Sequence, residues 1–263
     1  MRALFALIVL AAAAVGAPAL AQSRPDFTGV WMIREEYYLG QPYKTEPRLT
    51  PAVAERAKKR MAAMTAGYVR DVSGMICGQA GGPIMYQIRS PFEIFAGFGR
   101  MTLMFETEMN NQPRTIYMDQ AAHPDALYPT FNGHSIGRWE GQALVVDTVG
   151  FVPRGGLLGD VPRTAQSHTV ERFTLSPDGK AMTLEMTLED PSSLIEPWTT
   201  SFVFDRKPTT EERFEVWCDF DKSAYEATDL QSLKDVDPEV ALLLEGVNDD
   251  PATRIAKEAA AAN

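Results

Sequence analysis

The feature that most restricts what this chain can fold into is the run AMTLEMTLE, residues 181–189, behind the turn Ser176-Pro177-Asp178-Gly179. Met182, Leu184, Met186 and Leu188 alternate strictly with Thr183, Glu185, Thr187 and Glu189. Successive side chains of a strand project to opposite faces, so a period of two predicts one buried face and one wetted face. That is the pattern of an antiparallel sheet. Upstream, HTVERFTL (168–175) supplies the partner strand, and the proline-glycine turn between the two predicts a hairpin.

The same pattern recurs along the chain. FEIFAGFG, RMTLMFETE and RTIYMD read as three successive strands. SIGRW and ALVVDTVGF flank a turn at Glu140-Gly141-Gln142, and WTTSFVFDR and ERFEVWCDF flank residues 207–210. Between them AAHPDALYPTFNGHS, with Pro124, Pro129 and Gly133, predicts an irregular loop. One helix is expected over about 51–66, with Thr50 at its N-cap, Pro51 in the first turn and Gly67 ending it; it would lie outside a barrel or plug its mouth. The reading is an all-β protein, an antiparallel barrel of about eight to ten strands, with a β-sandwich as the alternative. A barrel of about eight strands encloses room for one small ligand.

Residues 1–21 have a positive start at Arg2, an apolar run and Ala19-Leu20-Ala21, the pattern of a secretory signal peptide. The expected organisation is therefore a signal peptide at 1–21, a barrel domain at 22–220 and a helical or frayed tail at 221–263, where Asp237-Pro238 and Asp250-Pro251 each start a short helix. The product is expected in the periplasm or outside the cell, without membrane insertion, since no later segment is apolar enough to span a bilayer. Cys77 and Cys218 are the only cysteines. In an oxidising compartment an even pair predicts a disulfide, typically contributing about 2–4 kcal/mol. A net charge of −10 argues against nucleic acid and anionic membrane surfaces as partners. A small molecule remains the expected partner, and nothing in the sequence sets the oligomeric state.

The chain has three histidines, His123, His134 and His168, each near a loop or strand end. No Gly-x-Ser-x-Gly elbow, P-loop, Rossmann glycine pattern or His-Glu-x-x-His motif is present. The catalytic candidates are His134, His168 and Arg138, with His134 moving a proton and Arg138 steadying an anion. Gly133 before His134 allows a sharp turn or a close backbone approach. Alternation puts Arg138 on the face of His134 and Arg172 on the face of His168. If those faces point inward, the four form a cationic floor in an apolar cavity; if they point outward, the arginines are surface residues, and Arg138 in either case could simply pair with Asp147 or Glu171 across the sheet. His123, Arg172, Trp139, Asp147 and Trp31 are the candidate ligand-binding residues. No cofactor is expected; the alternative is zinc or iron held by His123, His134 and His168 with Asp119 or Asp147, although the spacing matches no metal signature.

Two resemblances add to this reading. Gly29-x-Trp31 near the N-terminus resembles the opening strand of lipocalins and related calycins, in which the tryptophan closes one barrel end. Together PDFTGVW, LTP heading a helix, Cys77 followed by Gly82-Pro83, HP, GHSIGRWEGQALVVDTVGF and VERF resemble a family of uncharacterised exported proteins from environmental bacteria. The resemblance runs from about Pro25 to Cys218 and implies a shared fold and a shared site around His123, His134 and His168. CGQAGGPIM departs from the proline and the Gly-Met-Pro-Arg run that this family carries after its first cysteine. Three functional readings follow: a barrel cavity for a small, partly apolar (aromatic or lipid-like) ligand; a cofactor-independent lyase, isomerase or hydrolase; and an envelope scaffold.

Overall fold

The computed structural model describes residues 24–38, 41–65, 81–106, 113–153 and 155–210. The expected signal peptide, the Cys77–Cys218 disulfide, the strand at 212–220 and the terminal helices lie outside the described residues. The strands are β1 (Gly29–Ile33), β2 (Phe92–Gly97), β3 (Arg100–Phe105), β4 (Arg114–Tyr117), β5 (His134–Glu140), β6 (Ala143–Val149), β7 (Gly156–Leu158), β8 (Val161–Pro162), β9 (His168–Leu175), β10 (Ala181–Glu189) and β11 (Trp198–Lys207). Nine of them close a barrel in the order β1-β11-β10-β9-β6-β5-β4-β3-β2, and β7 and β8 form a separate ribbon. The protein is a mostly-β closed barrel with one α-helix, α1 (Pro51–Thr65), among the described residues. No described helix is long and apolar enough to cross a membrane.

The alternating run forms as its pattern requires. β10 pairs with β9 through Leu184↔Phe173 and Met186↔Glu171, and with β11 through Leu184↔Phe202. Met182, Leu184, Met186 and Leu188 are fully buried inside the barrel. On β6 the inward residues are Leu144, Val146 and Thr148, and on β9 they are Thr169, Glu171 and Phe173.

One junction breaks the antiparallel rule. β4 and β5 run parallel, with Ile116↔Ser135 and Tyr117↔Ile136. A hairpin cannot join parallel neighbours, so the chain must cross over between them. Residues 118–133, the proline-rich stretch expected as a loop, make that crossover. They are pinned over the wall: Val152 N–H donates to the Thr130 carbonyl at 2.9 Å, Gly82 N–H donates to Asn132 Oδ1 at 2.9 Å, and the Arg163 guanidinium stacks on Phe131.

The barrel is plugged from within by a 3-10 turn, Ile84–Gln87, rather than by α1. Tyr86 reaches the centre and packs edge-on against Phe92, Phe105, Phe173 and Phe204, with ring centroids between 5.5 and 6.2 Å. Edge-to-face contacts of this kind are favourable because the positive ring edge meets the negative face. The helix α1 instead stays at the surface, with Val53 its one buried residue among those whose burial is described. Its start is tied to the β10–β11 loop, where Thr50 N–H donates to the Ser193 carbonyl and the Thr50 hydroxyl donates to that of Ser192.

Tyr86 also anchors a buried charge pair. Arg114 Nη1 donates to Tyr86 Oη at 2.5 Å and to Glu171 Oε1 at 2.8 Å, while Nη2 donates to Glu171 Oε2, to Thr148 Oγ1 and to Ser135 Oγ. Arg114 and Glu171 are 3% and 0% exposed, so only such dense hydrogen bonding offsets their loss of hydration. Burial pulls against the arginine's charge, but the facing Glu171 carboxylate outweighs it and holds the guanidinium protonated. The same burial drives the Tyr86 phenol well above its ordinary range.

Candidate functional site

Because Ser135, Thr148 and Thr169 point into the barrel, their neighbours His134, Asp147 and His168 must point out. The histidines meet on the outer wall, and the inward cationic floor is corrected. Asp147 joins them. His123, carried across by the 118–133 crossover, gives Nε2 to Asp147 Oδ1 at 2.8 Å and sets Nδ1 against His134 Nδ1 at 2.8 Å. His168 places Nε2 on Asp147 Oδ2 at 3.0 Å and Nδ1 on Glu189 Oε2 at 3.2 Å. The result is one row, His134–His123–Asp147–His168–Glu189, spanning β5 to β10.

The row fixes its own protons. Desolvation pushes the Asp147 carboxyl up, but the hydrogen bonds from His123 and His168 outweigh it and leave its pKa below the usual carboxylate range. A carboxylate only accepts, so His123 must carry its proton on Nε2. With that proton alone, His123 offers a lone pair at Nδ1, and His134 donates from its own Nδ1. Neutral His134 is left with an unprotonated Nε2, which has no hydrogen-bond partner among the described residues. Partial burial and the neighbouring His123 lower the pKa of His134, so it is neutral at pH 7 and free to accept a proton. His168 differs. Its two nitrogens both face carboxylates, and although burial opposes charge, Asp147 and Glu189 raise its pKa. The raised pKa favours the imidazolium form, in which both N–H groups donate to the two carboxylates.

His134 is aimed by its backbone and by a ring. Gly133 has φ +66°, and a Cβ there would lie 2.7 Å from Thr148 Cγ2 and 2.8 Å from the Val149 carbonyl, so a side chain is excluded. The Tyr117 ring stacks on the imidazole, centroids 4.9 Å apart and 16° from parallel.

The other sequence candidates lie elsewhere. Arg138 and Arg172 both bind Glu140, at 3.0 and 2.7 Å, not Asp147 or Glu171. Arg138 is four residues from His134, about 13 Å along the strand, and too far to share a small substrate with it. Arg172 borders an open groove of about 580 Å3 with Pro25, Glu140 and Pro177 at the opposite barrel end. Trp31 and Trp139 also belong to that end. Trp31 is fully buried, its Nε1 donating to the Phe27 carbonyl at 2.9 Å under the Arg206 guanidinium. Trp139 packs on Phe27. The three imidazoles do not converge as metal ligands either: both nitrogens of His123 and of His168 are committed to other partners, and among the described residues no group of His, Cys, Asp or Glu is arranged to hold a metal ion. Asp119 lies beside Gly99.

Sequence reasoning missed Glu189 and Tyr117. Glu189 ends the wetted face of the alternating run, and its register with His168 follows once the hairpin turn is placed. Tyr117 carried no such signal, because parallel β4–β5 pairing brings it to His134.

No protein-family model matches the chain, and no curated protein matches it. Among solved structures, the barrel is similar to the crystal structure of the N57A mutant of the fluorescent protein UnaG, at 12% identity over 69% of this chain and 96% of that one, with a TM-score of 0.33. The assignment of a closed barrel rests on the strand pairing itself.

Proposed function

We propose that this barrel takes a small, partly apolar molecule at the outer histidine row and acts on it by proton transfer, without a cofactor. The observation that carries the reading is the Asp147–His123–His134 chain, which leaves His134 Nε2 as an open base. In the proposed step the substrate's C–H or O–H electrons stay on the substrate and its proton moves to Nε2. The positive charge is then shared through the Nδ1–Nδ1 bond toward His123 and the Asp147 carboxylate, the same logic by which a carboxylate orients and steadies an imidazolium in hydrolase triads. Lyase and isomerase chemistry both begin this way.

An interior ligand site is less favoured, because Tyr86 and its aromatic shell occupy the centre of the barrel. Export to the periplasm or beyond belongs to the same proposal, supported by the pattern of residues 1–21 and by motif blocks that resemble those of exported bacterial proteins.

The test is a thermal-shift panel of small aromatic and lipid-like compounds, followed by product analysis of each hit with wild type and His134→Ala. Turnover that disappears in a folded His134→Ala supports the proposal. Binding with no turnover leaves a carrier protein; no shift with any compound overturns a small-molecule role.

A further inference from the structure

The geometry points to a small aromatic carboxylate as the molecule this wall recognises, gripped by Arg100 beside the Tyr117–His134 stack. The inference rests on the proton-transfer reading only in placing the ligand's reactive edge at His134.

Arg100 opens β3 and pairs with Tyr117 of β4. Its guanidinium lies over the Tyr117 ring, 5.4 Å from the centroid, and Tyr117 in turn lies on His134. Cation, phenol and imidazole thus form one layered stack on the outer face. In a chain of net charge −10, with Arg34, Arg48, Arg114, Arg138 and Arg172 all paired to carboxylates, Arg100 is exposed and has no carboxylate partner among the described residues. Its planar fork is free to take a carboxylate in two parallel hydrogen bonds.

The apolar half of the site is beside it. Phe95, 45% exposed, lies on the outer face of β2 and is paired with Thr102, which makes it a diagonal neighbour of Arg100 at about 7–8 Å. Directly opposite Arg100 is Gly97, where a Cβ would have nothing within 4 Å. Bare floor therefore lies between the cation and the exposed ring.

The turn above carries an independent mark. Phe98 and Gly99 hold φ +50° and +71°, the paired positive angles of a tight two-residue hairpin turn, and Phe98 is fully exposed at its tip. The Asp119 carboxylate packs against the turn, 2.8 Å from where a Cβ on Gly99 would lie. An exposed aromatic ring at the hairpin tip is the feature that folding does not require.

The experiment is an NMR titration of the full chain with benzoate, benzamide and acetate, following the Tyr117 and His134 ring signals, in wild type, Arg100→Gln and His134→Ala. Benzoate is expected to shift both rings in wild type, to bind at least about tenfold more tightly than benzamide or acetate, and to weaken as salt is raised. Arg100→Gln should remove that preference for the anion, and His134→Ala should keep it. No benzoate-dependent shift, equal binding of acetate, or unchanged benzoate binding in Arg100→Gln overturns the proposal. Turnover lost in His134→Ala while Arg100→Gln binds normally would sink only the carboxylate site; a benzoate site with no turnover on any compound would sink only the proton-transfer reading.

Discussion

His123 and His134 meet nitrogen to nitrogen, Nδ1 against Nδ1 at 2.8 Å, and the bond exists only with a single proton between them. The Asp147 carboxylate at the other end of His123 decides which ring donates. The acid-base property of His134 is therefore set by a residue it does not touch.

Asp147→Asn tests that dependence. The amide can donate to His123 as well as accept, so the protonation order along the row is no longer fixed. Turnover should fall on the order of 10²–10⁴-fold while far-UV circular dichroism stays unchanged. In wild type, ¹H–¹⁵N long-range spectra near neutral pH should show Nε2 of His134 unprotonated; a protonated Nε2 would remove the base.

The two ends of the row should titrate apart. His168, raised by Asp147 and Glu189 against the opposing effect of burial, should show an NMR midpoint above 6.5, and His134, lowered by burial and by His123, one below it. For His168 the stabilisation is complete below the unfolded midpoint and disappears as pH rises through the higher folded one. For Asp147 it is present above 3.8 and disappears as pH falls through the lowered folded value. Glu189→Gln should move the His168 midpoint downward and leave His134 in place.

Gly133→Ala should misplace His134. The added methyl meets Thr148 and the Val149 backbone at φ +66°, a conformation costing an ordinary residue about 1–2 kcal/mol. Urea denaturation should show at least that loss, with the stack on Tyr117 disturbed in the ring spectra.

Inside the barrel, Glu171→Gln should cost about 3–5 kcal/mol by leaving Arg114 as an uncompensated buried charge. Arg114→Met combined with Glu171→Leu should recover most of it, because the pair is retained at the expense of two desolvations. A double variant no more stable than Glu171→Gln alone would show that the charges themselves hold the wall together.

Tyr86→Ala should cost about 3–5 kcal/mol through the cavity it leaves. It should also create an interior site for small apolar molecules, detectable as stabilisation by benzene. Wild type, with its centre filled, should show no such effect.

By itself the sequence determined most of the strands and their hairpins. The alternation in Ala181–Glu189 names the faces of β10, the turn at Ser176–Gly179 sets its register, and the same local rules found β2, β3, β5, β6, β9, β11 and the helix over Pro51–Thr65, because period and turn chemistry act over a few residues. It also picked out His123, His134, His168 and Asp147 as residues a strand does not need. Two things were decided only by the tertiary structure. Which face of β5 and β9 looks inward depended on where a buried pair such as Arg114–Glu171 could be satisfied, and that put the histidines on the outer wall. The parallel pairing of β4 with β5 forced the crossover that lays His123 between His134 and Asp147 and sets Tyr117, with Arg100 behind it, against His134. Such pairings join residues far apart in the chain, and no local pattern encodes them.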